Sequence, residues 1–399
     1  MRQVLRLPAY RRLLAAYALN ELAFSIGSLA LSVLVYRKTG SAIAAAGYFL
    51  GSQFLPALIS PALVARLDQR SSRIVLPVLY AAEAVAFVVL AWLASRFALG
   101  AVLVVALVDG VLALAARALA RAATVTVTSP HGLLREGNAI ANGAFSVCFM
   151  AGPAIGGAIV ALSGAGTALL TDAALFAAMS LTLAGAGSLP AAAPTRDPTA
   201  GRLRASLSYA ISVPPIRALL GLQAAAVMFF AISIPVEVVF ATRTLHAGAG
   251  GLGALTAVWG TGAVAGSVFY ARFRAVPPRV LISVGAGALA AGFVVMAAAP
   301  GLQVALIGAL VAGLGNGIEA VSARTALQEQ VEEAWMAMMM SLNESILQAV
   351  PGAGIVVGGA ITAITSPRVA LAVAGSGALL ITALAWAVLT PRQAVQPVA

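Results

Sequence analysis

Long apolar stretches separated by short polar breaks follow one another along almost the whole chain. Twelve of them reach about 20 residues, the length that an α-helix needs to cross the hydrocarbon core of a bilayer. The pattern predicts helices at about 12–35, 41–64, 74–94, 100–121, 137–162, 166–189, 216–240, 251–271, 280–299, 303–324, 338–363 and 368–390. We therefore expect an all-α membrane protein with twelve transmembrane helices.

One segment interrupts this pattern for longer than a turn. Residues 188–215 contain five prolines and several charged side chains, a composition that favours a solvated linker over a packed element. The interruption lies almost at mid-chain. It predicts a six-helix bundle at 1–189, a cytoplasmic linker at 190–212 and a second six-helix bundle at 213–399.

The two predicted bundles share short pieces of sequence. Gly156-Gly157-Ala158-Ile159 returns 202 residues later as Gly358-Gly359-Ala360-Ile361, and Ala120-Arg121 returns 203 residues later as Ala323-Arg324. Each match is weak in a chain so rich in Ala and Gly, but both have nearly the same offset, which is half of the chain. Duplicated hydrophobic halves are typical of secondary transporters, whose substrate site lies between the repeats near the bilayer midplane.

Composition and charge agree with a polytopic membrane protein. Of the 399 residues, 61% are hydrophobic and 9% are charged, against roughly 25% charged residues in soluble proteins. The net charge of +11 could suggest a nucleic-acid partner, but its distribution along the chain argues against one. Of 24 Lys and Arg residues, all but five fall on one predicted side; the exceptions are Arg37, Lys38, Arg96, Arg243 and Arg368. This asymmetry is typical of cytoplasmic loops, so we expect both termini in the cytosol.

Five short segments carry a family resemblance. They are Tyr10–Leu14, Thr39–Ala42, Leu134–Ala139, Gly152–Gly157 and Asp172–Phe176. In this order and spacing they resemble the major facilitator superfamily, especially its bacterial exporter branch; Gly152-Pro153-Ala154-Ile155-Gly156-Gly157 is similar to the antiporter signature of helix 5. The resemblance implies two pseudo-symmetric six-helix bundles that work by alternating access. It also implies a multi-pass protein of the bacterial inner membrane, which we expect to be a monomer.

The chain departs from the family pattern in three places. The loop between predicted helices 2 and 3, Val64–Arg73, lacks the usual glycines, and either Asp68 or Ala65 takes its acidic position. The matching loop of the second half, Arg272–Arg279, contains no acid. Asp109 stands where many drug/proton antiporters carry an arginine on helix 4. We expect Asp68 and Arg73 to take part in gating.

Ionisable side chains inside membrane helices are costly, roughly 2.5–3.5 kcal/mol each at mid-helix, and therefore mark functional sites. The predicted spans contain seven acids: Glu21, Glu83, Asp109, Asp172, Glu237, Glu319 and Glu344. The resemblance implies that helices 1, 4, 7 and 10 line the central cavity. The proton-coupling candidates are therefore Glu21, Asp109 and Glu319, and the substrate-cavity candidates are Asn20, Glu21, Asp109, Arg117, Phe229 and Asn316.

Each candidate also has a structural interpretation. Glu21 could be a hydrogen-bonded packing acid, Asp109 could pair with Arg117 on the same helix, and Phe229 could face lipid. Glu83 and Asp172 lie on helices 3 and 6, which are peripheral in the family, and are expected to be structural. Glu237 is expected to reach towards water at the outer surface.

Glycines, prolines and two equivalent arginines are candidates for gating or hinge roles. Glycines four residues apart give a flat helix face that a neighbouring backbone can approach, and proline permits a bend. These faces could serve tight packing or could slide between the halves; the arginines lie at equivalent cytosolic helix ends. The candidates are Arg121, Gly152, Pro153, Gly156, Gly157, Arg324, Pro351, Gly358 and Gly359.

The sequence does not indicate an enzyme. His131 and His246 fall on opposite predicted sides of the membrane, and Cys148 is the one cysteine, so we expect no metal site. We find no nucleotide-binding motif and expect no cofactor. The favoured function is export of small hydrophobic or drug-like compounds in exchange for protons. The alternatives are a nutrient or metabolite uptake carrier or uniporter of the same fold and, in another class, a non-transporting membrane sensor or scaffold.

Overall fold

The computed structural model describes residues 3–39, 48, 50–68, 70–184, 189 and 201–388. Its α-helices are α1 (Pro8–Thr39), α2 (Leu55–Leu67), α3 (Ser72–Ser95), α4 (Leu99–Thr128), α5 (Leu134–Ala184), α6 (Arg202–Ser212), α7 (Pro214–Val239), α8 (Gly248–Arg272), α9 (Pro278–Ala298), α10 (Leu302–Gln330), α11 (Met336–Ile364) and α12 (Pro367–Val388). No strand occurs in this range. Ten helices of the described residues are long and apolar enough to cross a membrane. The expectation of an all-helical, multi-pass membrane protein is confirmed, and the count of twelve spans stays a prediction.

The longest helix, α5, joins two predicted helices. The predicted break between 162 and 166 contains Gly164, whose φ of 86° and ψ of 165° lie outside the helical region. Glycine adopts this conformation without the steric cost that a Cβ would bring. The chain therefore kinks at Gly164, and α5 has two arms, 134–163 and 165–184.

The second predicted helix, 41–64, is described only in part. Residues 40–47 and 49 lie outside the described residues. A π-helical turn, Leu50–Phe54, leads directly into α2. Pro56 is the second residue of α2.

The described chain forms two compact units. Unit 1 comprises Met1–Ala210 together with Val331–Gly352, and unit 2 comprises Ile211–Gln330 together with Ala353–Ala399. The first part of α11 thus belongs to unit 1 and its remainder to unit 2. In unit 1, α5 packs against α1 and α3, and α4 packs against α2 and α3. In unit 2, α10 packs against α8 and α9, while α12 packs against α7 and α9.

Several glycines allow close helix contacts, as expected from one of the two roles that the sequence leaves open for them. A Cβ at Gly152 of α5 would collide with Ser25 of α1, and a Cβ at Gly156 would lie in tight contact with Ile26, 3.0 Å from its Cα. In unit 2, a Cβ at Gly358 of α11 would collide with the backbone of Ile232 in α7. Small residues at membrane helix interfaces allow the backbones to approach closely, which gains dispersion energy where the hydrophobic effect contributes little. These contacts are made inside each unit.

The other hinge candidates have different surroundings. At Gly157 and Gly359, an added Cβ would meet no atom within 4 Å. Pro351 is half-buried in α11, and the side chain of Pro153 lies outside those described. Arg73 is exposed at the start of α3.

The segment predicted to be a solvated linker contains a packed helix, which corrects that part of the expectation. Residues 190–200 lie outside the described residues, but α6 buries Arg202, Ser206 and Ala210 on one face, at a spacing of four. The Nε of Arg202 donates a hydrogen bond of 2.7 Å to Oδ2 of Asp68, so this gating candidate is an ion-pair partner of the linker helix. Composition does not predict this packed helix, because an arginine with a buried carboxylate partner cannot be distinguished in sequence from a solvated arginine.

The Arg202 guanidinium also contacts the segment before α11. Its Nη2 donates a hydrogen bond of 2.7 Å to the carbonyl oxygen of Ala334, and its Cζ lies 5.0 Å from the centre of the Trp335 ring. Trp335 in turn stacks on Tyr209 of α6 at 5.4 Å between ring centroids. All these residues belong to unit 1, where they join α6 to the loop after α2 and to the start of α11.

The close approach of α7 and α11 predicts a contrast between neighbouring glycines. Gly358→Ala should destabilise the protein, because its methyl group would overlap the Ile232 backbone, and overpacking of this kind costs about 1–3 kcal/mol. Gly359→Ala adds the same methyl group to open space and serves as the matched control. The measurement is the midpoint of thermal aggregation of the purified protein in detergent. Equal midpoints for the two variants would contradict the packing.

The charge asymmetry predicts that α6 lies on the cytosolic side of the membrane. Ser206 is buried, so Ser208, which is exposed, is the better reporter. In a Cys148→Ala background, Ser208→Cys should resist an impermeant thiol reagent in intact cells and react after permeabilisation. Ser95→Cys, exposed at the end of α3 on the predicted outer side, should react in intact cells. Labelling of Ser208→Cys in intact cells would reverse the orientation.

Candidate functional site

Four charged side chains meet inside unit 1, and we call them the charge cluster: Glu21 of α1, Arg117 and Arg121 of α4, and Glu344 of α11. The Arg117 Nε lies 3.4 Å from Oε1 of Glu21, and its Nη1 lies 3.9 Å from Oε2 of Glu344. The Arg121 Nε lies 2.9 Å from Oε1 of Glu344. No side chain of the cluster is more than 10% exposed. Two carboxylates therefore balance two guanidinium groups in a buried site.

Helix periodicity brings these groups together. Arg117 and Arg121 are four residues apart and therefore lie on one face of α4. On α1, the residues that contact the two arginines are Tyr17, Glu21 and Phe24. They are three or four residues apart and therefore also lie on one helix face. The Arg117 guanidinium lies 5.2 Å from the ring centre of Phe24, and that of Arg121 lies 5.8 Å from the ring centre of Tyr17. The positive charges are thus held by carboxylates and by the negative faces of aromatic rings.

The contacts in the charge cluster are ion pairs without ideal hydrogen-bond geometry. The Nε atoms of Arg117 and Arg121 and the Oε1 of Glu344 are buried and make no hydrogen bond within the described residues. The Arg117 Nη2 donates a long hydrogen bond of 3.5 Å to Oδ1 of Asn20. A bidentate pair with two aligned hydrogen bonds would be stronger. The two arginines can therefore change their ion-pair partners without breaking well-formed hydrogen bonds.

A small cavity lies beside the charge cluster. Its volume is about 40 Å³, room for about three water molecules at roughly 15 Å³ each. The polar side chains on its wall are those of Asn20, Ser28, Tyr48, Ser52, Asp109, Arg117 and Gln348. The rest of the wall is largely apolar. Asp109 therefore shares a water-sized space with the charge cluster.

Asp109 does not form the ion pair with Arg117 that was one of its two predicted roles. The Arg117 guanidinium faces Glu21 and Glu344 instead. Asp109 is half-buried, and its Oδ1 is buried with no hydrogen-bond partner among the described residues. Asp109 lies about two helical turns before Arg117 on α4, so its side chain is free to face the cavity.

The remaining cavity candidates lie in unit 2. Glu319 is buried on α10, where the backbone of α9 at Gly285 packs against it, and it interacts electrostatically with Arg324, which is half-buried. Asn316, one turn earlier, is half-buried. Phe229 packs with its ring against Gly377 of α12, a contact that accounts for the side chain without a substrate.

Glu344 and Gln348 are the site residues that the sequence analysis did not select. Glu344 is one of the seven acids in the predicted spans, but it lies on predicted helix 11, and the family resemblance implies that helices 1, 4, 7 and 10 line the cavity. The available signal was the pair of polar residues, Asn343 and Glu344, inside an apolar span. Gln348 lies four residues after Glu344, on the same face of α11.

The described residues show no metal centre: no group of three or more His, Cys, Asp or Glu side chains could hold a metal ion. The chemistry open to this site is the exchange of protons and ion-pair partners. A proton on Glu21 or Glu344 would neutralise one carboxylate and leave a buried arginine uncompensated. Leaving one member of a buried pair without its partner costs about 3–5 kcal/mol. Protonation therefore favours any arrangement in which the arginine finds another partner.

Known proteins are similar to this chain in fold. No protein-family profile matches the chain, and no curated protein matches its sequence. Solved structures match over nearly the full length. A bacterial homologue of the iron transporter ferroportin in the outward-facing state has a TM-score of 0.78 at 14% identity, covering 96% of this chain and 100% of that one. The human organic anion transporter MFSD10 (TETRAN) has a TM-score of 0.76 at 19% identity, covering 95% and 99%.

A symporter shares the fold as well. The E. coli fucose:proton symporter FucP has a TM-score of 0.75 at 16% identity, covering 96% of this chain and 98% of that one. At these identities the likeness is one of fold. The chain has the fold of major facilitator superfamily transporters, as the resemblance implied.

The charge cluster predicts a strong and specific loss of stability. Glu344→Gln should lower the thermal midpoint sharply, because it leaves Arg121 and Arg117 with one carboxylate between them, a loss of about 3–5 kcal/mol. Adding Arg121→Gln should restore part of the loss, since the double variant is again balanced in charge. The measurement is a double-mutant cycle on the thermal midpoint in detergent. Additive losses would show that the two side chains do not interact.

Proposed function

We propose that the chain is a secondary active transporter that moves small molecules across a membrane by alternating access, with protons as the coupling ion. The fold supports transport as the general activity. The charge cluster supports protons, because it balances two carboxylates against two arginines without a metal centre in the described residues. No ATP-binding motif supplies another source of energy.

The observation that carries the proposal is the sharing of Arg117 between Glu21 and Glu344. These three residues come from α1, α4 and α11, so a change in one ion pair acts on the contact between three helices. A proton that binds Glu21 competes with Arg117 for the carboxylate. Proton binding and helix rearrangement are then linked, which is the requirement for coupling.

The direction we propose is export of hydrophobic or drug-like compounds in exchange for protons. The composition supports apolar cargo, since 61% of the residues are hydrophobic and few polar side chains fall within the predicted spans. A protonated Glu21 would release cargo outside, and its deprotonation towards the cytosol would restore a carboxylate for the next, often cationic, substrate. Asp109 and Glu319 are the other proton-coupling candidates in this proposal.

A second candidate is uptake of a polar nutrient together with protons. The fold likeness to the fucose:proton symporter FucP and to the proton:xylose symporter XylE favours it. The same charge cluster would also support uptake, because a proton can bind and move together with a substrate as well as in exchange for one.

We further propose the membrane arrangement of the transporter. The repeat units are 1–189 and 213–399, each with six spans, joined by a cytoplasmic segment at 190–212. Two spans beyond the ten apolar helices come from α2 with the residues before it and from the first arm of α5. The protein is a monomer in a bacterial inner membrane, with both termini in the cytosol.

The test of coupling is Glu21→Gln, an isosteric change that mimics the protonated carboxyl group. In proteoliposomes with a proton gradient, export of ethidium by the variant should fall to the level of empty liposomes. Binding of the cationic dye should weaken because it loses a charge partner in a medium of low dielectric. Asp109→Asn should show a smaller loss if that residue only supports the site.

The matched control is Glu237→Gln, which makes the same change in unit 2, outside the charge cluster. It should export ethidium like the wild type. If Glu21→Gln exports ethidium at the wild-type rate, Glu21 is not the coupling residue, and Asp109 or Glu319 is the next candidate. No ethidium export by the wild type, together with proton-driven accumulation of a labelled sugar, would replace export by the second candidate.

A further inference from the structure

Three acids within the helices of unit 1 have no place in the charge cluster. They are Glu83 of α3, Asp109 of α4 and Asp172 of the second arm of α5. Glu83 and Asp172 are 0% exposed. Both carboxylate oxygens of Glu83, both of Asp172 and the Oδ1 of Asp109 have no hydrogen-bond partner among the described residues. Such groups are costly to bury, so their presence needs an explanation.

These acids lie close to one another and to the cavity. Asp109 interacts electrostatically with both Asp172 and Glu83, and it lines the cavity itself. The Oδ2 of Asp172 lies 2.5 Å from the place that a Cβ of Gly27 would occupy. Gly27 also lines the cavity, so the absence of its side chain leaves Asp172 next to that space.

The surroundings of the acids are apolar. Phe87 and Phe176 lie one turn after Glu83 and Asp172, on the same helix faces, and both line the cavity. Their rings stack at 5.2 Å between centroids. These rings shield the carboxyl groups from bulk water and carry no charge of their own.

The fold does not require acids at two of these positions. On predicted helices 4 and 10 the offset of 203 relates Asp109 to Ala312, and on helices 6 and 12 the offset of 202 relates Asp172 to Ala374. In unit 2, Ala312 and Ala374 belong to the buried core. Small apolar residues therefore suffice for the equivalent packing, and unit 1 contains acids that this packing does not require.

The charge balance of unit 1 favours the protonated, neutral form of these three acids. Five acids lie within the spans of unit 1, and the two arginines of the charge cluster balance Glu21 and Glu344. Other titratable groups that interact with the three remaining acids are Tyr48, Tyr80 and Arg117, and Arg117 is already shared by two carboxylates. Three further negative charges would each cost several kcal/mol in this interior.

We propose that Glu83, Asp109 and Asp172 form a proton-holding site behind the charge cluster, which exchanges protons with it through the cavity. The cavity has room for about three water molecules, enough to bridge Asp109 to the polar groups of the cluster. No metal-binding geometry occurs among the described acids, so protons are the ligands that fit. The protonation does not depend on transport, whereas its use as a second coupling site rests on the proposed function.

The test is infrared difference spectroscopy of the purified protein in lipid at neutral pH, which detects the carbonyl stretch of protonated carboxyl groups without any substrate. Asp172→Asn, Glu83→Gln and Asp109→Asn should each remove the signal of one protonated carboxyl group. Glu21→Gln is the matched control and should remove none, because its carboxylate is paired with Arg117. Unchanged signals in both Asp172→Asn and Glu83→Gln would overturn the proposal.

Two further measurements keep the test decisive. If a unit 1 variant fails to fold, the double variant Glu237→Gln Glu319→Gln, which keeps unit 1 intact, should still show the signal, and its absence would overturn the proposal. Addition of Na⁺ to the wild type should leave the signal unchanged, since loss of the signal would identify a cation site instead. If the wild type neither exports ethidium nor accumulates the labelled sugar while its carbonyl signal is intact, the proposed function is rejected and the proton-holding site stands.

Discussion

The ion pairs that hold Arg117 between Glu21 and Glu344 are the interaction on which the site depends. A charge in a membrane interior is tolerated only with a partner, because the surroundings cannot solvate it. This rule selects the partners of Arg117 from three different helices. It also explains the aromatic rings of Phe24 and Tyr17 above the two guanidinium groups. The same requirement for neutrality leads from the charge cluster to the three unpaired acids behind it.

The two halves of the chain share a scaffold but differ in chemistry. In both, glycines of one helix allow a neighbouring backbone to come into contact, Gly156 on Ile26 in unit 1 and Gly358 on Ile232 in unit 2. Most buried charges of the described residues lie in unit 1, although unit 2 buries Glu319. A duplicated fold can thus place most of its buried ionisable groups in one half.

Part of this was readable from the sequence because it depends on local pattern. Runs of apolar residues of membrane-spanning length predict helices, and most predicted boundaries agree with the observed helices to within a few residues. The break at Gly164 was readable too, since a glycine between two apolar runs permits the positive φ that ends a helix. Intramembrane acids were identifiable as costly residues, and the family resemblance selected Asn20, Glu21, Asp109 and Arg117 among the cavity candidates.

Tertiary structure decided which charged groups are partners. Sequence spacing suggested Asp109 as the partner of Arg117 because they share a helix, but ion pairs form between side chains that are close in space, and Glu344 is 227 residues away along the chain. For the same reason Arg202 read as part of a solvated linker, although Asp68 and Ala334 bury it. Helix length and amphipathic pattern are properties of neighbours in sequence. Charge balance in a membrane is a property of neighbours in space, and only the folded chain determines those.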